Sequence, residues 1–537
     1  MKSEHHVARS LWRLFTNENK AYDDPPIPTR NDGGGMKKGG PVIANAAGFD
    51  PDSVRWGMRT LPIKEATDHF LMMGTIGSGK TTLIRHTLQS IAPRFRPEAA
   101  RPEQLIIFDA KANAIPMLQA LGLRPDQDNF WVLNPYDLRS AKWDLGEATR
   151  EPVMARAIAS LLVPEDLQST ARFFSDAARE VTRATIMAMN AVAELDWDLR
   201  HLLCALESRE TISAITSRNP LTKAITSNYL HDKQHCPSIL STLATKLGPF
   251  ENVAALWHTT RLKRKFSITE FLKRPGVLVI GNDPVLRETI SPINSILLKA
   301  LVNEILRQPD TLLPRHWFVF DEFADMQRQE CVPDLIRLGR SKGASVLLGV
   351  QNVPSLTQIY GEKLTNAMLG ECANKTFLRV NEQTTAQWIS DHFGKVRHIE
   401  QTVSESWGPG GKTHSVQHSV FERSMFLPSF FSNLPMPATG GNLVCVSDIP
   451  SLKSVIIARR RFDELLSSLA PIPENEVPGL MPRKDIAEQT LVPWTEEERR
   501  RFLGDPPEDE APPTVPSKPR KKPRGPSKLP SRHRLAY

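Results

Sequence analysis

The chain has 537 residues, of which 40% are hydrophobic and 24% charged, a balance typical of a globular protein with room for two or three domains. Its apolar runs are far shorter than the ~18 residues of a membrane helix, and no signal peptide is visible, so the sequence predicts no intrinsic membrane span. Five scattered cysteines without CxxC spacing argue against a disulfide framework and a zinc site, and they favour a reducing cytoplasm.

The net charge of +8 is concentrated at the C-terminal end. Residues 515–537 contain eight Lys and Arg and no Asp or Glu, so they account for the whole excess of positive charge. The rest of the chain is formally neutral. Its overall charge therefore neither supports nor excludes nucleic-acid binding, and any contact with DNA there must come from a local patch or a pore lining.

The first part of the chain moves from irregular to alternating patterns. Residues 1–44 include NDGGGMKKGG and predict a flexible segment. From 45 to 146, short apolar runs alternate with helical patterns. These runs suit buried parallel strands because they are continuous and end in polar or glycine residues. They are HFLMMG at 69–74, QLIIFD at 104–109 and FWVLNP at 130–135.

The middle of the chain becomes helical and then returns to strand-like runs. Residues 147–272 carry apolar side chains at helical spacing and predict an all-helical insertion. Over 273–470 the strand-like runs return, with an amphipathic helix around 293–305 among them; the runs are VLVIGND, WFVFDEF, SVLLGVQN and KTFLRV. From 471 to 537 proline is frequent, which predicts a Pro-rich, basic, disordered tail. The pattern indicates one α/β domain with a mostly parallel sheet, divided in sequence by the insertion.

A glycine-rich stretch follows the first of these strands and precedes a helical pattern. It reads GTIGSGKTT and fits the phosphate-loop pattern GxxxxGK[ST]. Lys80 is predicted to contact the β- and γ-phosphates of ATP and Thr81 to bind Mg²⁺. The alternative is a glycine-rich turn before a helix. With strand, loop and helix all in place, the sequence favours a P-loop ATPase of the RecA-like, doubly wound α/β class. The residues predicted to bind nucleotide are Gly74, Thr75, Ile76, Gly77, Ser78, Gly79, Lys80, Thr81 and Thr82.

Two carboxylates follow the apolar strand HWFVF. A motor ATPase needs one acid at a strand end to hold Mg²⁺ and a second to orient and deprotonate the attacking water. We assign the first role to Asp321 and the second to Glu322. The alternative is an Asp-Glu pair that only caps a loop.

Further polar residues stand at or near strand ends. Gln351 follows an apolar strand and could sense the γ-phosphate, or it could be a surface amide. Arg340 could be a solvated charge at a helix end, or an arginine finger that reaches a neighbouring subunit's nucleotide. Asp109 and Lys111 could line the nucleotide crevice or form a salt bridge within a turn.

Over residues 45–470 the ordered motifs resemble the TraD/TraG-type coupling proteins of type IV secretion and conjugation. The resemblance implies that Arg340 is the arginine finger and Gln351 the sensor. It also implies a homo-hexamer that moves DNA through a pore, with relaxase and channel components as partners. Two departures are the absence of N-terminal transmembrane helices and Ala112 in place of a glycine after Lys111. The motifs are GTIGSGKTT, D-x-K, NPYD, FFSDAAR, DEF, GRSKG, TTAQWISDHFGK and LPMPATGGNLV.

The sequence leaves two other functions open. One is an FtsK- or HerA-like DNA translocase in segregation, repair or defence. The other is an ATP-dependent adaptor that docks proteins at a secretion channel, with the basic tail as recruitment arm. For the coupling protein we expect a cytoplasmic chain, peripheral at the inner membrane through a partner.

Overall fold

The computed structural model describes residues 50–504 apart from 167–168, 233, 261–263, 283–285, 409–410, 439, 473–476 and 485–488. The predicted flexible segment 1–44 and residues 505–537 of the predicted tail therefore lie outside the described residues. Fifteen strands are described: β1 Ser53–Trp56, β2 Arg59–Pro62, β3 Phe70–Met73, β4 Gln104–Asp109, β5 Phe130–Leu133, β6 Lys142–Trp143, β7 Lys265–Phe266, β8 Gly276–Gly281, β9 His316–Phe320, β10 Ala344–Val350, β11 Asn374–Phe377, β12 Lys395–Gly408, β13 Gly411–Ser424, β14 Asn442–Ile449 and β15 Ser454–Arg461.

The α-helices lie between and after these strands. They are α1 Lys80–Ile91, α2 Ala114–Ala120, α3 Leu145–Ala148, α4 Pro152–Leu162, α5 Ser169–Val192, α6 Leu199–Ala205, α7 Arg209–Thr216, α8 Pro220–Leu230, α9 Cys236–Leu247, α10 Glu251–His258, α11 Ile268–Phe271, α12 Arg287–Leu306, α13 Cys331–Gly339, α14 Val353–Tyr360, α15 Glu362–Glu371, α16 Gln383–Phe393, α17 Pro428–Ser432, α18 Phe462–Ser467 and α19 Glu496–Leu503. Within the described ranges, no helix has both the length and the apolar character that crossing a membrane requires.

A nine-stranded sheet forms the centre of the molecule, in the order β15-β14-β11-β3-β10-β9-β4-β8-β5. The seven strands from β11 to β5 are parallel, and all seven apolar runs of the sequence form them. These strands are almost entirely buried because both faces of the sheet are covered, and six of them are mainly apolar, whereas β11 reads NKTF. In β3, for example, Leu71 and Met73 enter one core while Phe70 and Met72 enter the other.

The sheet order determines where the functional residues meet. Strands β3, β10, β9 and β4 are direct neighbours, and each runs parallel to the next. Their carboxyl ends therefore lie along one edge of the sheet, where ligands bind in open α/β folds. The P-loop, Gln351, the Asp321–Glu322 pair and the turn after Asp109 leave the sheet at this edge.

The helical insertion is closed at its base by two short strands. β6 and β7 pair in parallel, with Lys142 opposite Lys265 and Trp143 opposite Phe266. The prediction of an entirely helical segment over 147–272 is thus wrong for β7, a two-residue strand too short to produce a periodic pattern. Between these strands the described residues form the helices α3 to α10, and α11 follows β7.

Further strands lie beyond the parallel sheet. β14 pairs antiparallel with β11, and β15 pairs antiparallel with β14, so the sheet ends in an antiparallel edge. β12 and β13 form a separate antiparallel hairpin that runs from the pair Lys395–Ser424 to the pair Gly408–Gly411.

The C-terminal strap, residues 477–484 and 489–504, crosses from the sheet domain to the insertion. The amide of Leu138 donates to the carbonyl of Met481 at 2.8 Å, and the amide of Arg483 donates to the carbonyl of Tyr136 at 2.9 Å. Farther along, Trp494 and Phe502 are buried and stack with ring centroids 5.0 Å apart. The prediction of disorder from residue 471 is wrong for these residues, because two aromatic anchors outweigh the local excess of proline.

Glu498 fastens the last helix to the insertion. Its Oε1 accepts from Arg200 Nη1 at 2.6 Å and lies 2.9 Å from Nε2 of His201, while Thr495 and Glu498 form a capping box. Arg200 is 2% exposed and also bonds the carbonyls of Val492 and Pro493. Removing Glu498 would leave this buried guanidinium without its counter-charge.

We expect Glu498→Ala to weaken docking of α19 by about 2–3 kcal/mol, below the full effect of breaking a buried pair because Arg200 keeps two carbonyl partners. Hydrogen exchange should show the amides of α19 opening about a hundredfold more often. Glu497→Ala, which changes an exposed carboxylate on the same helix, is the matched control. Equal protection of α19 in both variants would contradict this assignment.

Candidate nucleotide-binding site

The loop after β3 is shaped by backbone geometry that only glycine adopts easily. Gly77 and Gly79 have φ values of +77° and +95°. A Cβ at Gly79 would lie 2.2 Å from Cδ1 of Leu443, and one at Gly74 would lie 2.5 Å from Oγ of Ser78. The loop thus requires glycine at all three positions, and a simple surface turn would not.

The loop is anchored at its start and open at its tip. The amide of Gly74 donates to Val350 O at 3.0 Å, and the amide of Thr75 donates to Arg379 O at 2.8 Å. Ser78 is buried and its hydroxyl donates back to Thr75 O at 2.7 Å, whereas Ile76 is 74% exposed.

Helix α1 begins at Lys80, directly after the loop. The N–H groups of its first turn, which includes Thr81 and Thr82, have no partners within the helix. They are therefore available to an anion at this helix N-terminus, as phosphates require.

Thr81 and Asp321 meet across the site. The Thr81 hydroxyl donates to Oδ2 of Asp321 at 3.0 Å. The other oxygen, Oδ1, is buried and has no hydrogen-bond partner among the described residues. An orphaned carboxylate oxygen beside a hydroxyl is an oxygen donor set that suits Mg²⁺. The residues present therefore fit the predicted metal.

Glu322 is the centre of a network of donors. Its Oε2 lies 3.1 Å from the ammonium of Lys80 and accepts from Nε2 of Gln351 at 2.6 Å. Its Oε1 accepts from the ammonium of Lys111 at 2.8 Å. The structure thus brings together Lys80, Glu322 and Gln351, which the sequence placed in one site, and Lys111, for which the nucleotide crevice was one of two alternatives.

Burial and charge act against each other in this network. Burial lowers the pKa of Lys80 and raises the pKa of Asp321, and both effects outweigh the opposite charges nearby. Burial also works to raise the pKa of Glu322, but the charge of Lys80 and the hydrogen bonds from Lys111 and Gln351 outweigh it and lower this pKa. Glu322 is therefore held as a carboxylate.

Asp109 and Lys111 do not pair with each other, as the salt-bridge alternative required. Asp109 accepts from the amides of Asn113 at 3.0 Å and Ala114 at 3.1 Å, so it holds the turn that leads into α2. Lys111 points from this turn to Glu322, a contact between residues 211 positions apart. Its sequence signals were the position after a strand end and the D-x-K motif.

Arg340 lies away from this network. It precedes β10, whereas Gln351 follows it, so the seven residues of β10 separate them by about 20 Å. Arg340 forms an ion pair with Asp68, which precedes β3, and its side chain is 65% exposed. It therefore belongs to the amino edge of the sheet, opposite the P-loop.

Comparison with known proteins places this architecture in a family. The model of the type IV secretion-system coupling protein DNA-binding domain matches residues 55–456, most of the chain. The chain belongs to the type IV secretion-system coupling proteins. This membership confirms the resemblance drawn from the motifs and decides against the FtsK- or HerA-like alternative. No curated protein sequence matches this coupling protein.

Solved structures confirm the fold class. The bacterial conjugative coupling protein TrwBdeltaN70, in an unbound form, is 18% identical with a TM-score of 0.58 over 80% of this chain and 92% of its own. The plasmid coupling protein TrwB in complex with ADP and Mg²⁺ is 17% identical with a TM-score of 0.57, over 81% and 93%. TrwB with a non-hydrolysable ATP analogue is similar at 18% identity and a TM-score of 0.57, over 81% and 93%. This coupling protein therefore has the RecA-like P-loop fold.

Proposed function

We propose that this coupling protein hydrolyses ATP with Mg²⁺ and uses the energy to move DNA towards a type IV secretion channel. The observation that carries the proposal is the meeting of three elements at one sheet edge: the P-loop, the Thr81–Asp321 pair and the ionised Glu322. Each supplies a part that phosphoryl transfer to water requires.

The residues of the site have different proposed roles, set by their chemistry. Lys80 and the first-turn amides of α1 bind the phosphates, while Thr81 and Asp321 hold Mg²⁺, which when bound neutralises charge on the β- and γ-phosphates. Glu322 accepts the proton of the attacking water. Gln351, bonded to Glu322, stands where it can contact both the γ-phosphate and the base.

Lys80 and Glu322 form an ion pair within the site. Both groups are nearly buried, at 4% and 5% exposure, so each charge neutralises the other. Phosphates bound by Lys80 would compete with this pair and would leave Oε2 of Glu322, still bonded by Gln351, able to accept from the water.

The position of Arg340 supports a shared active site. At about 20 Å from its own site edge, its side chain is too short to reach the phosphates bound there. A head-to-tail neighbour would place the amino edge of one sheet against the carboxyl edge of the next, and such contacts form a ring when the rotation between neighbours closes. We propose a homo-hexamer in which Arg340 acts on the neighbour's nucleotide.

Exposed apolar side chains at both edges fit this contact. At the amino edge, Leu338 is 47% exposed and Leu312 is 87% exposed. The amide of Thr311 donates to Ser341 O at 2.7 Å, and this bond holds the loop that carries Leu312 beside Arg340. On the opposite edge, Ile76 is 74% exposed at the tip of the P-loop. Burial of such residues would contribute to association.

The partners follow from family membership. We propose a relaxase and components of the secretion channel, with the protein in the cytoplasm and attached at the inner membrane through a channel component. The protein-docking adaptor remains the competing function, because it would use the same fold and ATP site without moving DNA.

DNA dependence of ATP turnover separates the two functions. We expect single- or double-stranded DNA to raise the turnover rate several-fold, since a translocating motor couples its cycle to the polymer. The measurement is the ATPase rate of the full chain with each DNA and without it, alongside the mass of the assembly. An unchanged rate in a confirmed hexamer would favour the adaptor.

A further inference from the structure

Lys111 reaches Glu322 from outside the P-loop. Its ammonium lies 2.8 Å from Oε1, whereas Lys80 and Gln351 both approach Oε2. Lys111 is 45% exposed and Glu322 only 5%, so the side chain of Lys111 reaches the buried carboxylate from the solvent-exposed side of the site. None of the roles in phosphate binding or metal binding accounts for it.

The turn that carries Lys111 is fixed from within. Asp109, 5% exposed, uses both carboxylate oxygens to bond the amides of Asn113 and Ala114. Ala112, the next residue after Lys111, has φ +53°, a left-handed conformation that is unfavourable for a residue with a Cβ. The surrounding structure therefore imposes this turn.

The C-terminal strap supports the same turn from outside. A Cβ on Gly479 would lie 1.5 Å from the carbonyl oxygen of Ala112, so only glycine permits the contact. Arg139 fixes the strap there, with Nη1 donating to Pro478 O and Nη2 to Gly479 O, both at 2.9 Å. The turn is thus clamped between Asp109 and the strap.

We propose that Lys111 is a positioning residue for Glu322, and that the C-terminal strap holds it in place. The inference rests on the proposed function, in which Glu322 is the base. When Lys80 moves to the phosphates, Gln351 still bonds Oε2 and Lys111 still bonds Oε1. One donor on each oxygen fixes the plane of the carboxylate, and each oxygen keeps a lone pair for water.

The charged groups around Glu322 come from three elements. They are Lys80 from α1, Asp321 from the end of β9 and Lys111 from the turn, with Asp325 close to Lys111. Loss of Lys111 leaves the Lys80 pair intact, so nucleotide binding should not depend on it. The loss of Lys111 should instead lower the rate of the chemical step.

The first test compares two substitutions of Lys111. Lys111→Met should lower kcat about tenfold and leave KM and the affinity for ADP within about twofold, because orientation of the base is lost while the phosphate contacts remain. Lys111→Arg keeps a cation that can bond Oε1 and should restore most of kcat. A kcat for Lys111→Met within about twofold of the parent would overturn the inference.

The second test acts through the strap. Gly479→Ala should also lower kcat with unchanged KM, since the new methyl group drives strap and turn apart. Gly370→Ala is the matched control, because a Cβ there meets nothing within 4 Å. In combination with Lys111→Met, Gly479→Ala should add nothing further, as expected for two changes that remove one interaction.

Two further variants keep the result interpretable. If Gly479→Ala fails to fold, Arg139→Lys serves as the second variant. It keeps the charge beside Asp137 but loses the paired hydrogen bonds to the strap, so it should also lower kcat. A normal kcat in that variant would contradict the role of the strap. Glu322→Gln, assayed alongside, separates failure of the positioning role from failure of the proposed base. If Glu322→Gln hydrolyses ATP, the proposed base is wrong. If Glu322→Gln is inactive and the Lys111 variants have a normal kcat, only the positioning role fails.

Discussion

Replacing Glu322 by glutamine should reduce ATP turnover at least about a hundredfold and leave ATP binding intact, because an amide cannot take the proton of the attacking water. The substitution keeps the size of the side chain. Lys80 then loses its carboxylate partner and is more available to phosphate, so affinity for ATP should be equal to that of the parent or higher.

Lys80→Ala should give a different loss. It removes the ammonium that contacts the phosphates, so both binding and hydrolysis should fall, while the fold is retained because Lys111 and Gln351 still bond Glu322. Turnover, binding of a fluorescent ATP analogue and thermal melting should be measured on the same preparations. Glu371→Gln, at an exposed helix end, is the control for the carboxylate-to-amide change.

Two outcomes would contradict these assignments. Retained turnover in Lys80→Ala would refute the P-loop as the hydrolytic site. Retained turnover in Glu322→Gln, with Lys80→Ala inactive, would move the base to another residue, and Asp321 would be the first candidate because it lies at the same strand end.

The P-loop and the parallel strands could be predicted because their signals are local. Gly74 to Thr81 forms one continuous motif, and most of the parallel strands are runs of adjacent apolar residues with no polar face. The meeting of Thr81 with Asp321 then follows from the general rule that ligand sites lie at the carboxyl edge of such sheets.

The remaining features depend on contacts between distant residues. Lys111 and Glu322 are 211 positions apart, and no periodic pattern relates them. The strap was missed for another reason. Its prolines resemble a disordered tail, while its stability comes from the buried, stacked Trp494 and Phe502 and from Glu498, which binds Arg200 of the folded insertion. Composition describes the segment alone and so cannot register those partners.

Mixing two inactive variants should restore activity if Arg340 acts on a neighbour. Arg340→Ala keeps a sound pocket but offers no finger, and Glu322→Gln offers a finger beside a disabled pocket. In a mixed ring, some junctions join the sound pocket of one variant to the finger of the other. With random assembly at equal proportions, about one junction in four is complete, so ATPase should peak there at about a quarter of the parent rate.

The controls separate a finger from a structural ion pair. Asp68→Asn breaks the same pair with Arg340 but keeps the guanidinium, so it should remain active if the finger is what matters. Mixing Lys80→Ala with Glu322→Gln offers fingers but no sound pocket, so it should give no recovery. The subunits must be assembled together from a dissociated state, with mixed rings verified by tag pull-down.

Activity equal to the weighted mean of the two variants, in rings shown to be mixed, would mean that Arg340 does not act in trans. Its pairing with Asp68 at the amino edge would then be its whole role. Recovery that peaks at equal proportions has no explanation within a single chain, because the length of β10 keeps Arg340 from its own phosphates. The ATP site would then be completed only in the assembled ring, and turnover would depend on protein concentration as the ring dissociates.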